Sequence, residues 1–149
     1  DGYALSFGLS PFVEPSTRAG RRFARPAGDA SVVGVMAVAG DETLVAATAA
    51  RRALLCKLEE VNYLSGPGKG VLLIKLDKGD KVVGFRAVTK ESDGLTMKTS
   101  LGGEQKISPS RYELSSRGGK GREVMKRGAL LEPVTEPPPP PPTFEEGDR

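Results

Sequence analysis

Apolar residues occur in short runs that are separated by glycine and polar turns, a pattern typical of β-strands. Tyr3 to Phe7 alternates apolar and polar residues with a period of two, which predicts a strand with one buried face. Val71 to Leu76 is the most apolar strand candidate, and it follows a glycine-rich loop. No apolar run reaches the length of about 18 residues that a membrane-spanning helix requires.

The same pattern predicts strands along most of the chain. They are expected at 23–25, 32–38, 43–48, 53–58, 82–88, 95–99, 104–107 and 124–131. Val32 to Val38 and Thr43 to Thr48 are expected to form a hairpin. A helix is an alternative for 43–58, which is rich in Ala and Leu. The matching copy at 95–107 contains the pair Gly102-Gly103, which favours strands.

The chain contains an internal repeat with a period of about 50 residues. Segments 32–38 and 82–88 share five of seven residues at a step of 50, and the Leu-x-x-x-Thr pattern of 44–48 recurs at 95–99 at a step of 51. Periods of this size belong to propellers and solenoids. We therefore predict repeat units at about 1–50, 51–100 and 101–134. The third unit lacks a Val-Val-Gly hairpin, which leaves either an open arc or blades completed by strands from neighbouring units.

Three glycine turns carry positive charge and follow the same period. We call them the first (Thr17–Arg22), second (Leu64–Gly70) and third (Ser115–Arg122) cationic turns. Their glycines at 20, 68 and 119 align at steps of 48 and 51, and each is followed at once by Arg or Lys.

Composition excludes several kinds of site. Histidine is absent and Cys56 is the single cysteine of 149 residues, so disulfides, Cys/His zinc sites and His-based catalytic triads are excluded. Cys56 lies in an apolar run and is expected to be a small buried residue rather than a nucleophile. The chain starts at Asp1 without a signal-peptide pattern, and we expect a soluble fragment of a longer protein.

The net charge of +3 conceals a basic body and an acidic end. Residues 135–149 carry four acids and one base, whereas the other 134 residues carry 21 bases and 15 acids. This end contains six consecutive prolines, Pro137 to Pro142, and is expected to be a disordered tail, with a role as an SH3-type ligand as the alternative. The basic body predicts an anionic polymer as partner.

Glycine turns followed by Lys or Arg suit contact with phosphate. Backbone N–H groups can approach the phosphate closely at glycine, and the cation adds charge and hydrogen bonds. A nucleotide-binding P-loop is a weaker alternative, because no Ser or Thr follows Gly68-Lys69 or Gly119-Lys120 and no helix is predicted there. The low phenylalanine content argues against single-strand binding by base stacking. Candidate DNA-binding residues are Arg18, Arg21, Arg22, Arg51, Arg52, Lys69, Arg117, Lys120, Arg122 and Lys126.

Three motifs resemble the C-terminal domain of the A subunit of bacterial type IIA topoisomerases. They are Asp1-Gly2-Tyr3-x-x-x-Phe7, Leu44-x-x-x-Thr48-x-x-x-Arg52-x-Leu54 and Arg117-Gly-Gly-Lys-Gly121 followed by Met125-Lys-Arg-Gly128. The resemblance covers 1–134 and is nearest to topoisomerase IV, with gyrase second. Ser115 and Ser116 replace the Gln-Arg that begins the gyrase A box, and Arg51 stands where a turn glycine is usual.

The resemblance implies an all-β fold, a β-pinwheel of four-stranded blades that binds and bends duplex DNA along its rim, here with two to three blades. It implies a non-catalytic module of an ATP-dependent isomerase whose catalytic tyrosine lies in another domain, with no cofactor in this segment and ATP and Mg²⁺ used elsewhere. Implied partners are duplex DNA, the rest of the A subunit and the ATPase B subunit in a heterotetramer, with no membrane. The implied setting is the bacterial cytoplasm at the nucleoid, in chromosome segregation. The alternatives are a gyrase wrapping domain and a propeller-type protein-interaction scaffold.

Overall fold

The computed structural model describes residues 1–135 and consists of short strands joined by turns. The strands are β1 (Tyr3–Ala4), β2 (Ser6–Phe7), β3 (Thr43–Thr48), β4 (Arg52–Lys57), β5 (Tyr63–Leu64), β6 (Val71–Leu72), β7 (Val82–Val88), β8 (Leu95–Thr99), β9 (Glu104–Ile107), β10 (Arg122–Glu123) and β11 (Leu130–Pro133). Two 3₁₀ turns lie at Ser10–Phe12 and Leu58–Glu60, and no α-helix occurs in the described residues. The all-β prediction is confirmed. The tail predicted at 135–149 lies, apart from Thr135, outside the described residues.

One blade is complete, and its strands come from all three predicted units. Its order is β10-β4-β3-β7, with every pair antiparallel. β3 lies in the centre, where Leu44 pairs with Cys56 on one side and with Ala87 on the other. Arg122 of the third unit pairs with Ala53 and closes the outer edge. This blade is therefore completed by strands from neighbouring units.

A second group of strands repeats three of these four positions. Its order is β11-β8-β9, in which β8 corresponds to β3, β9 to β4 and β11 to β7 at steps close to 50. Leu130 pairs with Thr99, just as the start of β7 pairs with the end of β3. No described strand covers the outer edge of β9, where the counterpart of β10 would lie.

The remaining blade is the least complete of the three. β1 pairs with β6 as β4 pairs with β10, while β2 and β5 form a short parallel pair beside them. The repeat makes 32–38 the counterpart of β7. The predicted strand at 32–38 and its hairpin with 43–48 are nevertheless wrong, because 32–38 forms no strand and β3 pairs with β4 and β7 instead. The physical reason is that no described residue occupies the position between 32–38 and β1 that β3 occupies in the complete blade.

Three smaller strand predictions also need correction. Phe23 to Arg25 contributes only an isolated bridge between Ala24 and Gly68, and Arg25 N–H donates to the Gly68 carbonyl at 2.8 Å. The strand predicted at 71–76 stops at Leu72, because the next two amides both turn to the carbonyl of Gly2. The strand predicted at 124–131 is wrong for 124–129, which form no strand, and only its last two residues lie in β11.

The core consists of two apolar clusters, one on each face of the complete blade. Val45, Ala47 and Leu55 pack with residues of β8, β9 and β11. Leu44, Ala46 and Leu54 pack on the opposite face with Leu73 and Ile74 near β6. β3 and β4 are therefore buried on both faces. Cys56 is fully buried as predicted, and burial raises the pKa of its thiol to about 11.

Residues with positive φ repeat with the same period as the strands. Gly2, Arg51 and Gly102 precede β1, β4 and β9 with φ of 83°, 70° and 88°. The glycines at 20, 70 and 121 form a second set, and those at 28, 79 and 128 form a third. These sets locate equivalent turns in all three units, including those whose sequences show little identity.

Candidate nucleic-acid interface

The three cationic turns follow one another through direct contacts between neighbouring units. The first turn leads into Ala24, which bridges to Gly68 of the second turn. β6 follows the second turn, and the carbonyl of Leu72 accepts a hydrogen bond from Arg117 of the third turn at 3.2 Å. The fold thus brings the basic turns of all three units into one continuous series.

The first cationic turn carries the most accessible charge. Gly20 N–H donates to the Thr17 carbonyl at 2.9 Å, which closes the turn, and the Arg21 guanidinium donates to the Pro11 carbonyl at 2.6 Å. Arg18 and Arg22 are exposed and make no hydrogen bond or ion pair with another residue of 1–135. Their charges are available to an external anion.

The second cationic turn is fixed tightly to β1. Lys69 Nζ lies 3.9 Å above the centre of the Tyr3 ring, a cation–π contact that holds the ammonium at the surface. A Cβ at Gly70 would collide with the carbonyl oxygen of Ala4. Glycine is therefore required here both by this close approach and by its φ of 84°.

The third cationic turn packs on the second unit through its backbone. Gly118 N–H donates to the Leu73 carbonyl at 2.6 Å, and Lys75 N–H donates to the Gly119 carbonyl at 2.8 Å. Lys120 Nζ lies 2.7 Å from Asp77 Oδ1, and this hydrogen bond with its charge holds the pKa of Asp77 below its ordinary value. The turn is therefore rigid at its base while its cations stay at the surface.

Arg51 and Arg52 have a different environment from the other candidates. Both are half-buried. Arg51 donates to the Gly128 carbonyl at 2.9 Å and contacts Glu123 at 3.4 Å, while Arg52 donates to the Gly121 carbonyl at 3.2 Å. These two arginines connect β4 to the loops on either side of β10, so their charge is partly used within the fold.

The remaining candidates lie at the surface near β10. Arg122 is 3.9 Å from Glu113 with both side chains exposed, and Lys126 is exposed without a polar partner among the described residues. The sequence did not indicate the acidic partners Asp77, Glu113 and Glu123. Asp77 lies 43 positions from Lys120, and only the tertiary fold brings such residues together.

Comparison with known proteins bears on the fold and on the family resemblance. The family model described as "DNA gyrase C-terminal domain, beta-propeller" matches residues 42–89, which contain β3, β4 and β7. Residues 42–89 are therefore similar to the gyrase A C-terminal domain family. The matched segment supplies three of the four strands of the complete blade.

Curated relatives of this chain are gyrase A subunits. The A subunit of Rickettsia felis is 40% identical over 62 residues, and that of Rickettsia conorii is 39% identical over the same length. Each alignment covers 42% of this chain and 7% of the relative, so the chain spans only a small part of the proteins it matches.

Solved structures extend the fold likeness beyond the matched segment. The C-terminal domain of DNA topoisomerase IV superposes with a TM-score of 0.68 at 22% identity, covering 74% of this chain and 36% of that one. The E. coli ParC C-terminal domain gives a TM-score of 0.52 at 21% identity, covering 64% of this chain and 42% of that one. The β-pinwheel prediction is confirmed as a partial set of blades. The resemblance to the C-terminal domain of a type IIA topoisomerase A subunit is also confirmed, through the family match at 42–89 and the gyrase A relatives.

Proposed function

We propose that this chain is the DNA-binding and DNA-bending module of a topoisomerase IV A subunit. The series of three cationic turns carries the proposal, because regularly spaced cations along adjoining blades suit a curved polyanion. Contacts of this kind neutralise phosphates and read no base sequence, so any preference would come from the bendability of the duplex. The parent enzyme would pass one duplex through another using ATP and Mg²⁺ in other domains, together with an ATPase B subunit in a heterotetramer.

We rank the candidate residues by the contacts that each makes with other residues of 1–135. Arg18, Arg22 and Lys126 have no polar partner among residues 1–135 and are the primary phosphate contacts. Lys69, Lys120 and Arg122 stay exposed beside a single partner and contribute next, together with Arg21 and Arg117. Arg51 and Arg52 act mainly by holding β10 and the third cationic turn in place. Action at the nucleoid in the bacterial cytoplasm, during chromosome segregation, follows from this proposal.

The first experiment is titration of a short fluorescent duplex at several KCl concentrations, followed by anisotropy. The Arg22→Ala/Lys126→Ala variant should bind more weakly, and the slope of log K against log[salt] should become shallower by about two, because roughly one unit is lost per phosphate contact. The Lys81→Ala/Lys90→Ala variant removes the same charge from exposed residues outside the cationic turns and serves as the control. Equal losses in both variants, or binding independent of salt, would refute the proposal.

A gyrase wrapping domain is the second candidate, because the family match and the curated relatives are of the gyrase type. A gyrase-type domain should introduce writhe of one hand into relaxed circular DNA, whereas a topoisomerase IV module should introduce little. Two-dimensional gels of circles relaxed in the presence of the chain separate the two. A pull-down with this chain that recovers a protein but no duplex would indicate the propeller-type protein-interaction scaffold instead.

A further inference from the structure

A cavity of about 470 Å³ lies between the first and second cationic turns. Phe7, Phe12, Phe23 and Tyr63 provide its aromatic lining, and Arg21 and Arg22 provide its charge. The volume falls within the range of small-molecule sites. This cavity combines aromatic surface with positive charge. The proposed contacts to duplex phosphates require the positive charge but not the aromatic surface.

The aromatic residues of the chain are concentrated at this point. Of five phenylalanines in the sequence, three line the cavity. The Phe7 and Phe23 rings are stacked with centroids 5.2 Å apart, and Phe12 meets Phe7 edge-on at 5.4 Å. The low overall phenylalanine content argued against base stacking, but the fold gathers the few available rings into one cluster. Composition alone therefore underestimates the aromatic surface at this position.

Tyr63 is the accessible member of the group. Its side chain is 67% exposed, and its hydroxyl lies directly over Gly8, where a Cβ would stand only 2.5 Å away. The ring thus occupies the edge of the cavity instead of filling it. Such a ring can stack on a planar ligand at little cost in packing.

The charges around the cavity favour an anion. No acidic residue lines it, and residues 15–28 contain four arginines and no acid. Arg21 is oriented by its hydrogen bond to the Pro11 carbonyl, and Arg22 has no polar partner among residues 1–135. An aromatic surface beside two guanidinium groups provides both stacking and phosphate contacts, the combination used to bind single-stranded nucleic acid.

We propose that this cavity binds one unpaired nucleotide of DNA, with the base against Tyr63 and the phenylalanine cluster and the phosphate on Arg21 and Arg22. The proposal deepens the proposed function and rests on it, because it concerns the same first cationic turn. Paired bases are stacked inside the duplex, so the site would act where bending or crossing of duplexes has unstacked a nucleotide.

The test compares Tyr63→Ser with a matched control in the full chain. A fluorescent thymidine oligonucleotide and a fully paired duplex are the two probes. Loss of one stacked base should weaken binding of the oligonucleotide by about tenfold and leave duplex affinity within about twofold. Leu101 has the same 67% exposure and does not line the cavity, so Leu101→Ser should change neither affinity.

A second readout locates the contact directly. An oligonucleotide carrying 5-iododeoxyuridine, which crosslinks to stacked aromatic rings under ultraviolet light, should label peptides that contain 7–12, Phe23 or 61–67. Labelling elsewhere, or oligonucleotide affinity unchanged in Tyr63→Ser, would overturn the nucleotide site while duplex binding persists. Failure of wild-type protein to bind either probe would overturn the proposed function as well, so the two failures can be told apart.

Discussion

Arg51 combines an unfavourable backbone with favourable side-chain contacts. It is the only non-glycine residue with positive φ among residues 1–135, and its equivalents are Gly2 and Gly102. The left-handed region costs a residue with a Cβ roughly 1–2 kcal/mol. The guanidinium contacts to Gly128 and Glu123 offset this cost by linking the start of β4 to β10 and to the loop after β10. We infer that the arginine is retained for this link and not for the turn.

Substitution at Arg51 separates the two effects. Arg51→Ala and Arg51→Gly both lose the guanidinium contacts, but only alanine keeps the unfavourable backbone. We expect Arg51→Ala to be less stable than Arg51→Gly by about 1 kcal/mol in urea unfolding, since glycine accepts positive φ without a steric penalty. Arg111 is an exposed arginine outside the positive-φ set, so alanine should be the more stable replacement there. Equal stability of the two Arg51 variants would contradict this account.

The sequence predicted which residue types lie at the turns but not which residues of other units contact them in the fold. The spacing of glycine and lysine indicated the three cationic turns, but it aligned Gly20 with Gly68 and Gly119, whereas the positive-φ set aligns Gly20 with Gly70 and Gly121. The apolar surroundings of Cys56 predicted its burial. The Lys120–Asp77 pair, by contrast, depends on how two units pack and has no local signal. The role of the cationic residues in DNA binding stays a prediction.

At the scale of elements, strands were predicted best where their partners lie within the described chain. The predictions at 43–48, 82–88, 95–99 and 104–107 match β3, β7, β8 and β9. Segment 32–38 shares five of seven residues with β7 and still forms no strand. A strand requires backbone partners, and the same local sequence forms one only where a neighbouring strand supplies them.

A single carboxylate holds the end of segment 31–39 against β3. Glu42 accepts hydrogen bonds from Ala39 N–H at 2.5 Å and from Gly40 N–H at 2.8 Å. These bonds lower the pKa of Glu42 from its ordinary value of 4.5. The pKa of Glu42 is therefore lower in the folded than in the unfolded chain. The stabilisation from these bonds is complete above the ordinary pKa of the carboxyl and is lost as pH falls through its folded pKa.

Glu42→Gln should loosen this attachment at neutral pH. The amide can accept through one oxygen only, so one of the two backbone N–H groups loses its partner. We expect faster hydrogen exchange at Ala39 or Gly40 and several-fold faster proteolysis within 31–39. Wild-type protein should approach the behaviour of the variant as pH is lowered through the folded pKa of Glu42. Glu91→Gln, an exposed residue outside this contact, is the control, and the hypothesis fails if both variants are cleaved at the same rate.

At the scale of the whole molecule, each blade depends on strands from adjacent units. The complete blade draws on all three units, and its two faces form the two halves of the core. The first blade has an open position between β1 and 32–38, next to a cavity of about 320 Å³ whose lining includes Leu44, Val82 and Phe85. The apolar side chains along this segment are 41–58% exposed: Val32, Val33, Val35, Met36 and Val38. The repeat predicts that a strand resembling β3 fits this position.

Adding such a strand tests the blade architecture directly. A copy of residues 42–49 fused before Asp1 would place a β3-like strand ahead of β1 through a turn of the same length as the one that joins β3 to β4, because Gly2 corresponds to Arg51. By the repeat, the copies of Val45 and Ala47 would face the cavity, as the originals face the adjacent blade. Burial of a few apolar side chains, reduced by the entropy of ordering the added strand, should raise the free energy of unfolding by roughly 2–4 kcal/mol. The gain should appear in urea unfolding together with protection of amides in 32–38 from hydrogen exchange.

The same fusion with aspartate at the copied positions of Val45 and Ala47 should give neither effect, because charges cannot be buried against this apolar surface. Equal stabilisation by both fusions would mean that the added residues act outside the open position, and the assignment of 32–38 as the edge of an incomplete blade would then be wrong.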